Sequence, residues 1–125
     1  MTFLFDENIS PLVAEALKVL GKPVAYITDI LPRGTDDITL FEKLGQLEWF
    51  LVTQDKKIRR KRHELEAIKQ AGIGAFIFTG RAEKGVEEMT IMVLRHFGEM
   101  ERLASRTKRP FIFGISDRGS IEQLA

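Results

Sequence analysis

Carboxylates stand at the ends of apolar runs or loops at three places in this chain. Asp6 and Glu7 follow Phe3-Leu4-Phe5, Asp36 and Asp37 follow the loop Leu31-Pro32-Arg33-Gly34, and Asp55 follows the run from Trp49 to Gln54. Asp55 opens directly into Lys56, Lys57, Arg59, Arg60, Lys61 and Arg62, so six of the seven residues from 56 to 62 are cationic. Carboxylate oxygens are ligands for hard divalent cations, and dense Lys/Arg runs are footprints for phosphates. Together they point to metal-dependent chemistry on nucleic acid.

The elements that must carry these acids decide whether they meet. Thr2 to Phe5 reads as a short central strand, and Ser10-Pro11 starts a helix, with Ser as N-cap and Pro at the first helical position. Leu12, Val13, Ala16, Leu17 and Leu20 are expected as its apolar stripe, ending at Gly21. Pro23 to Thr28 is a second strand. Thr35, Asp36 and Asp37 open the next helix, with Ile38, Phe41, Leu44 and Leu47 expected toward the core. Trp49 to Thr53 is the third strand, followed by a basic helix with Ile58, Leu65, Ile68 and Ala71 on its inner side, closed by Gly72. Ile73 to Phe78 is a fourth strand. Val86, Met89, Val93, Phe97 and Met100 mark a long core-facing helix from Glu83 to about Ser105. Pro110 to Ile115 is a last strand, leaving 116–125 as a polar tail or short extra element.

Strands alternating with helices of this length require crossovers, so the expected fold is α/β, three-layer α/β/α, with a mostly parallel central sheet. In such sheets the functional crevice lies outside the carboxyl ends of the strands. Asp6 after the first strand, Asp37 after the second and Asp55 after the third are therefore expected on one rim. Crowded carboxylates repel and raise one another's pKa values unless a cation sits between them. Mg²⁺ needs only one or two direct carboxylates beside waters and substrate oxygens, and can activate water against a phosphodiester.

Each acid also has a local role open to it. Asp is a common turn residue, Asp36 and Asp37 suit a helix start, and Asp55 can cap the helix after it. The basic run has an ordinary reading too, as a solvated helix face with Glu64 and Glu66 as partial partners. His63 and His96 lack ligand spacing, no strand leads into a glycine-rich phosphate loop, and no GxSxG elbow is present.

Composition narrows the classes further. The chain has 125 residues, 44% hydrophobic and 30% charged, with a net charge of +1, which suits a single globular domain spanning 1–125 with locally concentrated basic charge. The absence of cysteine removes disulfide scaffolds, thiolate zinc sites and cysteine nucleophiles. The acids at positions 6 and 7 leave no room for a signal peptide, and no apolar run is long enough to cross a bilayer, so a cytoplasmic location is expected.

FLFDENISPLVAEAL, RGTDD opening a helix, and FLVTQDKKIRRKRHE together resemble the PIN-like nucleases, in particular the VapC-like toxin group beginning with a DEN turn. The resemblance covers roughly residues 2 to 80. It implies a Mg²⁺- or Mn²⁺-dependent endoribonuclease, the toxin of a type II toxin–antitoxin system, inhibited by a cognate antitoxin protein; homodimerisation is compatible with it. By position it carries the catalytic and metal-ligand roles onto Asp6, Asp37 and Asp55, with Asp36 as the alternative to Asp37. Lys56, Lys57, Arg59, Arg60, Lys61 and Arg62 become the RNA-binding wall. PIN nucleases usually assemble four acids, and Glu7, Glu64 and Asp117 are all candidates for the fourth. Two other readings stay open. A phospho-receiver domain would use Glu7 with Asp6, Asp55 and Thr79, but needs a Lys after its fifth strand, whereas Lys108 precedes PFIF. A catalytically degenerate PIN-like module would bind only RNA or a partner.

Overall fold

A computed structural model describes residues 1–54, 62–80 and 84–125. Chain order is β1 (Phe3–Phe5), α1 (Pro11–Val19), β2 (Val24–Tyr26), a 3-10 turn (Ile27–Asp29), α2 (Asp37–Leu47), β3 (Phe50–Gln54), α3 (Arg62–Ala71), β4 (Gly74–Phe78), α4 (Val86–Arg106), β5 (Phe111–Ile115) and β6 (Ile121–Gln123). The strands form one sheet ordered β2-β1-β3-β4-β5-β6. β1 to β5 are parallel, and β6 returns antiparallel along β5, so the expected polar tail contributes an edge strand. The architecture is the three-layer α/β/α arrangement expected from the alternation of elements.

Parallel pairing forces every crossover through a helix, and the helices sort into two pairs: α1 packs on α4, and α2 packs on α3. One face of the sheet is a phenylalanine layer under α4. Phe3 lies beside Phe50 (ring centroids 5.5 Å apart) and meets Phe97 of α4 edge-on (5.1 Å). Register then places Gly74 between Phe50 and Phe111, whose rings fill the space its side chain would take. A Cβ at Gly74 would stand 2.3 Å from the Phe111 ring and 2.8 Å from Phe50, so only glycine fits there.

Three helix stripes depart from their sequence expectation, that of α4 only at Val86, which its position at the first turn leaves exposed. On α1 the buried residues are Val13, Ala14 and Leu17, while Leu12 and Leu20 are exposed. α1 contacts both β2 and α4, and that double contact turns the helix so that Ala14, small enough for close approach, replaces Leu12 on the inner side. On α2, Leu40, Phe41 and Leu44 are buried and Ile38 is exposed, because Ile38 stands two positions from Leu40 and so on the other side of the helix. The inner sides of α3 and α4 follow the expected spacing at Ile68 and at Met89, Val93, Phe97 and Met100, with Met92 and Ala104 added. Among the described residues no helix is long and apolar enough to cross a membrane.

The chain steps from β1 to β2 on one side and then back across β1 to β3 on the other. Connections leaving in opposite directions open a crevice at the carboxyl end of β1, the position where α/β sheets hold ligands. Asp6 is the residue that follows β1.

Candidate active site

The turn after β1 is built from its own side chains. Asp6 continues the sheet ladder, its N–H donating to Val52 O, and its carbonyl accepts from the Ile9 N–H (3.1 Å). Its carboxylate accepts from the Asn8 backbone N–H (3.0 Å) and more weakly from Asn8 Nδ2 (3.4 Å), an Asx-type closure that suits Asp in this turn. The Tyr26 hydroxyl, inside the protein, donates to Ile9 O (2.8 Å) and ties the turn to β2. Glu7 reaches the next loop, where its Oε1 accepts from the Gly34 N–H (3.4 Å). Gly34 has φ +81°, a left-handed conformation that glycine takes without strain.

Thr53, near the end of β3, lies beside Asp6 on the neighbouring strand. Its side chain is 1% exposed, the one buried polar residue among those described, and its hydroxyl hydrogen-bonds the Asp6 carboxylate while accepting from Asn8 Nδ2 (3.3 Å). Period-two alternation explains the placement: Phe50 and Val52 face the phenylalanine layer, and Leu51 and Thr53 face α2 and α3.

Asp36 and Asp37 divide the two roles that the sequence left between them. Asp36 is the N-cap of α2, and its carboxylate accepts from the Thr39 N–H (3.3 Å) and hydroxyl, contacts that hold it below the usual carboxylate range. Asp37, the first residue of the helix, is released from capping and lines a cavity of about 230 Å³ together with Asp6, Glu7 and Glu64. The floor of this cavity is Ile27, Leu40, Phe41, Leu51 and Thr53.

Electrostatics follow from that floor. Burial against it pushes Asp6 from 3.8 up to about 7; the Thr53 and Asn8 hydrogen bonds oppose the rise, and the charge of Asp37 adds to it. An all-oxygen donor set carrying like charges is the chemistry that hard divalent ions complete, and Mg²⁺ itself asks for only one or two direct carboxylates. Asp6 and Asp37 fit that requirement. Among the described residues no three His, Asp or Glu side chains converge closely enough to hold a metal by themselves. Asp55, the third expected ligand, lies outside the described residues, as do Lys56, Lys57, Arg59, Arg60 and Lys61. Arg62, the last of the basic run, is the exposed first residue of α3.

Of the three candidates for a fourth acid, Glu64 and Glu7 line the cavity with Asp6 and Asp37. Asp117 does not. It follows β5, and its carboxylate pairs with the almost fully buried Lys84 ammonium at 2.5 Å. Both belong to a larger opening of about 580 Å³ beside the start of α4, which includes none of the other acids considered for the site. Asn8 and Thr53, which orient Asp6, received no role from sequence reasoning, although a threonine ending an otherwise apolar strand was the available signal. The receiver pattern stays incomplete: Ser116 and Asp117 occupy the position after β5, and Lys108 precedes that strand.

The chain matches the family model of the PIN like domain over residues 1–80 and belongs to that family, whose fold is of the nuclease type. The matched span contains β1 to β4 and every acid of the cavity. No curated protein matches the chain, and no solved structure matches it.

Proposed function

We propose that this chain is a metal-dependent endoribonuclease of the VapC-like group, the toxin of a type II toxin–antitoxin pair acting in the cytoplasm. The observation that carries the reading is the pairing of Asp37 with a desolvated Asp6, raised to about 7, in one cavity at the carboxyl end of β1. A fold tolerates such repulsion where a cation relieves it in the working state.

Asp6, Asp37 and Asp55 would hold Mg²⁺ or Mn²⁺. Bound there, the ion supplies activation of water and neutralises charge on the phosphodiester. The chain's own part is positional. Thr53 and Asn8 fix the Asp6 carboxylate, and capping by Asp36 fixes the first turn of α2 and with it Asp37. Glu64 or Glu7 is the second-line acid, available to orient or deprotonate water. Lys56, Lys57, Arg59, Arg60, Lys61 and Arg62 would hold phosphates of the RNA backbone, contacts that give affinity and salt dependence more than sequence choice. A cognate antitoxin would silence the enzyme by covering the same rim.

The test is cleavage of RNA by the wild-type chain and by Asp55→Asn with Mg²⁺, with Mn²⁺ and with chelator. Metal-requiring cleavage lost in Asp55→Asn is expected; cleavage that persists in chelator or in Asp55→Asn would sink the mechanism. Growth arrest on expression in bacteria, relieved by Asp55→Asn and by co-expression of a small protein encoded beside this one, tests the toxin role.

A further inference from the structure

The acidic cavity has a neighbour. A second opening of about 520 Å³, lined by Glu7, Ser10, Tyr26, Thr28 and Arg33 among others, shares Glu7 with it as a common wall. Its size lies in the range of ligand pockets, roughly 300–1,000 Å³. Arg33 stands exposed at its edge on the loop after β2, and among the described residues it makes no ion pair. Its charge nonetheless acts on the Tyr26 hydroxyl, opposing the upward pull of burial and of Asp6 and Glu7. One guanidinium therefore shares this opening with Glu7, and no ion pair among the described residues neutralises it.

Topology gives that position a meaning. β1 lies between β2 and β3 in the sheet, so Asp6 is flanked on one side by the loop after β2, which carries Arg33, and on the other by the chain after β3, where α3 begins at Arg62. A polyanionic strand crossing a rim of four carboxylic acids needs cations beyond both ends of it. Arg62 supplies one on the β3 side, and Arg33 supplies one on the β2 side.

We propose that the Arg33 pocket is a subsite for a flanking nucleotide of a single-stranded RNA, with Arg33 binding its phosphate and the hollow between Ser10, Tyr26 and Thr28 receiving its sugar and base. The inference rests on the nuclease reading above and extends it: the substrate runs from the basic side of β3, over the acid cavity, to Arg33. Arg is suited to the task because its planar fork takes two phosphate oxygens.

Binding of a fluorescein-labelled single-stranded RNA to the Asp55→Asn protein, measured over a range of salt, tests it together with cleavage by the otherwise wild-type enzyme. Arg33→Gln should flatten the salt dependence by the share of one phosphate, about 0.7 in log–log slope. It should raise KM for RNA about fivefold, the scale of one partly screened charge contact, with kcat unchanged. Arg33→Lys should restore the slope. Hydrolysis of bis(4-nitrophenyl) phosphate, which has no flanking nucleotide, should not respond to Arg33→Gln, and Lys108→Gln, the same charge change at the opposite edge of the sheet, should leave RNA binding as it was. An unchanged slope and KM in Arg33→Gln overturns the subsite while wild-type cleavage keeps the nuclease reading intact. An equal effect from Lys108→Gln, or a loss of bis(4-nitrophenyl) phosphate hydrolysis in Arg33→Gln, also overturns it. A wild-type chain that neither binds nor cleaves RNA overturns both readings at once.

Discussion

Replacing Asp6 by Asn should stabilise the metal-free protein while abolishing its activity. In the folded chain the Asp6 carboxyl sits at about 7 instead of 3.8, because burial against the apolar floor of the cavity and the charge of Asp37 disfavour its ionised form more than the Thr53 and Asn8 hydrogen bonds favour it. The native state therefore binds the extra proton between those values, and stability falls as pH rises through that window, reaching its lower level above about pH 7. Converted in full, the shift is worth about 4 kcal/mol. Asp6 is only partly buried by surface exposure, and with the solvent screening that this allows, about 2 kcal/mol is a fair expectation. Asparagine keeps an oxygen for the Asn8 N–H and the Thr53 hydroxyl but never ionises. In chelator at pH 8, Asp6→Asn should thus melt roughly 6–10 °C above wild type, and the difference should vanish near pH 4. Added Mg²⁺ or Mn²⁺ should raise the wild-type midpoint at pH 8, since a ligand bound only by the native state stabilises it, and should move the variant little. Circular-dichroism melts at several pH values suffice. A variant no more stable than wild type at pH 8, or a difference that ignores pH, would refute the assignment of Asp6 as a carboxylate held against its own ionisation.

Three further substitutions separate scaffold from site. Asp37→Ala should lower RNA cleavage on the order of 100-fold with little change in the melting midpoint, whereas Asp36→Ala should lower the midpoint through loss of the α2 cap yet leave an active enzyme; the reverse pattern in paired activity and melting assays would exchange their roles. Thr53→Val removes the hydroxyl that bonds Asp6 and accepts from Asn8, at a cost of about 1–2 kcal/mol at alkaline pH, and should move the acid limb of the pH–rate profile upward because Asp6 loses a contact that favours its ionised form. Gly74→Ala should cost about 1–3 kcal/mol in urea unfolding, since its methyl would collide with the Phe111 and Phe50 rings, and a midpoint equal to wild type would show that the phenylalanine layer yields more easily than its packing indicates.

The sequence by itself determined the order of strands and helices, the parallel sheet and the edge at which Asp6 and Asp37 would appear. These follow from short-range chemistry: apolar runs of strand length, Ser10-Pro11 and Asp36 as helix starts, glycines at positions 21 and 72 as stops, and the need for a crossover between parallel strands. What lay beyond it depends on contacts between residues far apart in the chain. Nothing local tells that α1 turns Ala14 inward and leaves Leu12 outside, because α4, some eighty positions later, sets that rotation. The choice between Asp36 and Asp37 also needed three dimensions: both suit a helix start, Asp36 caps locally through Thr39, and only the placement of α2 on the sheet brings Asp37 into the cavity of Asp6. Glu64 was parted from Asp117 in the same way, since strand order puts α3 beside the acid cavity and the end of β5 beside Lys84. The elevated pKa of Asp6 is the clearest case. An aspartate after a strand is ordinary in sequence, and it becomes a strained carboxylate only when Leu51, Phe41 and Asp37, contributed by two other elements, exclude much of its water and set a like charge beside it.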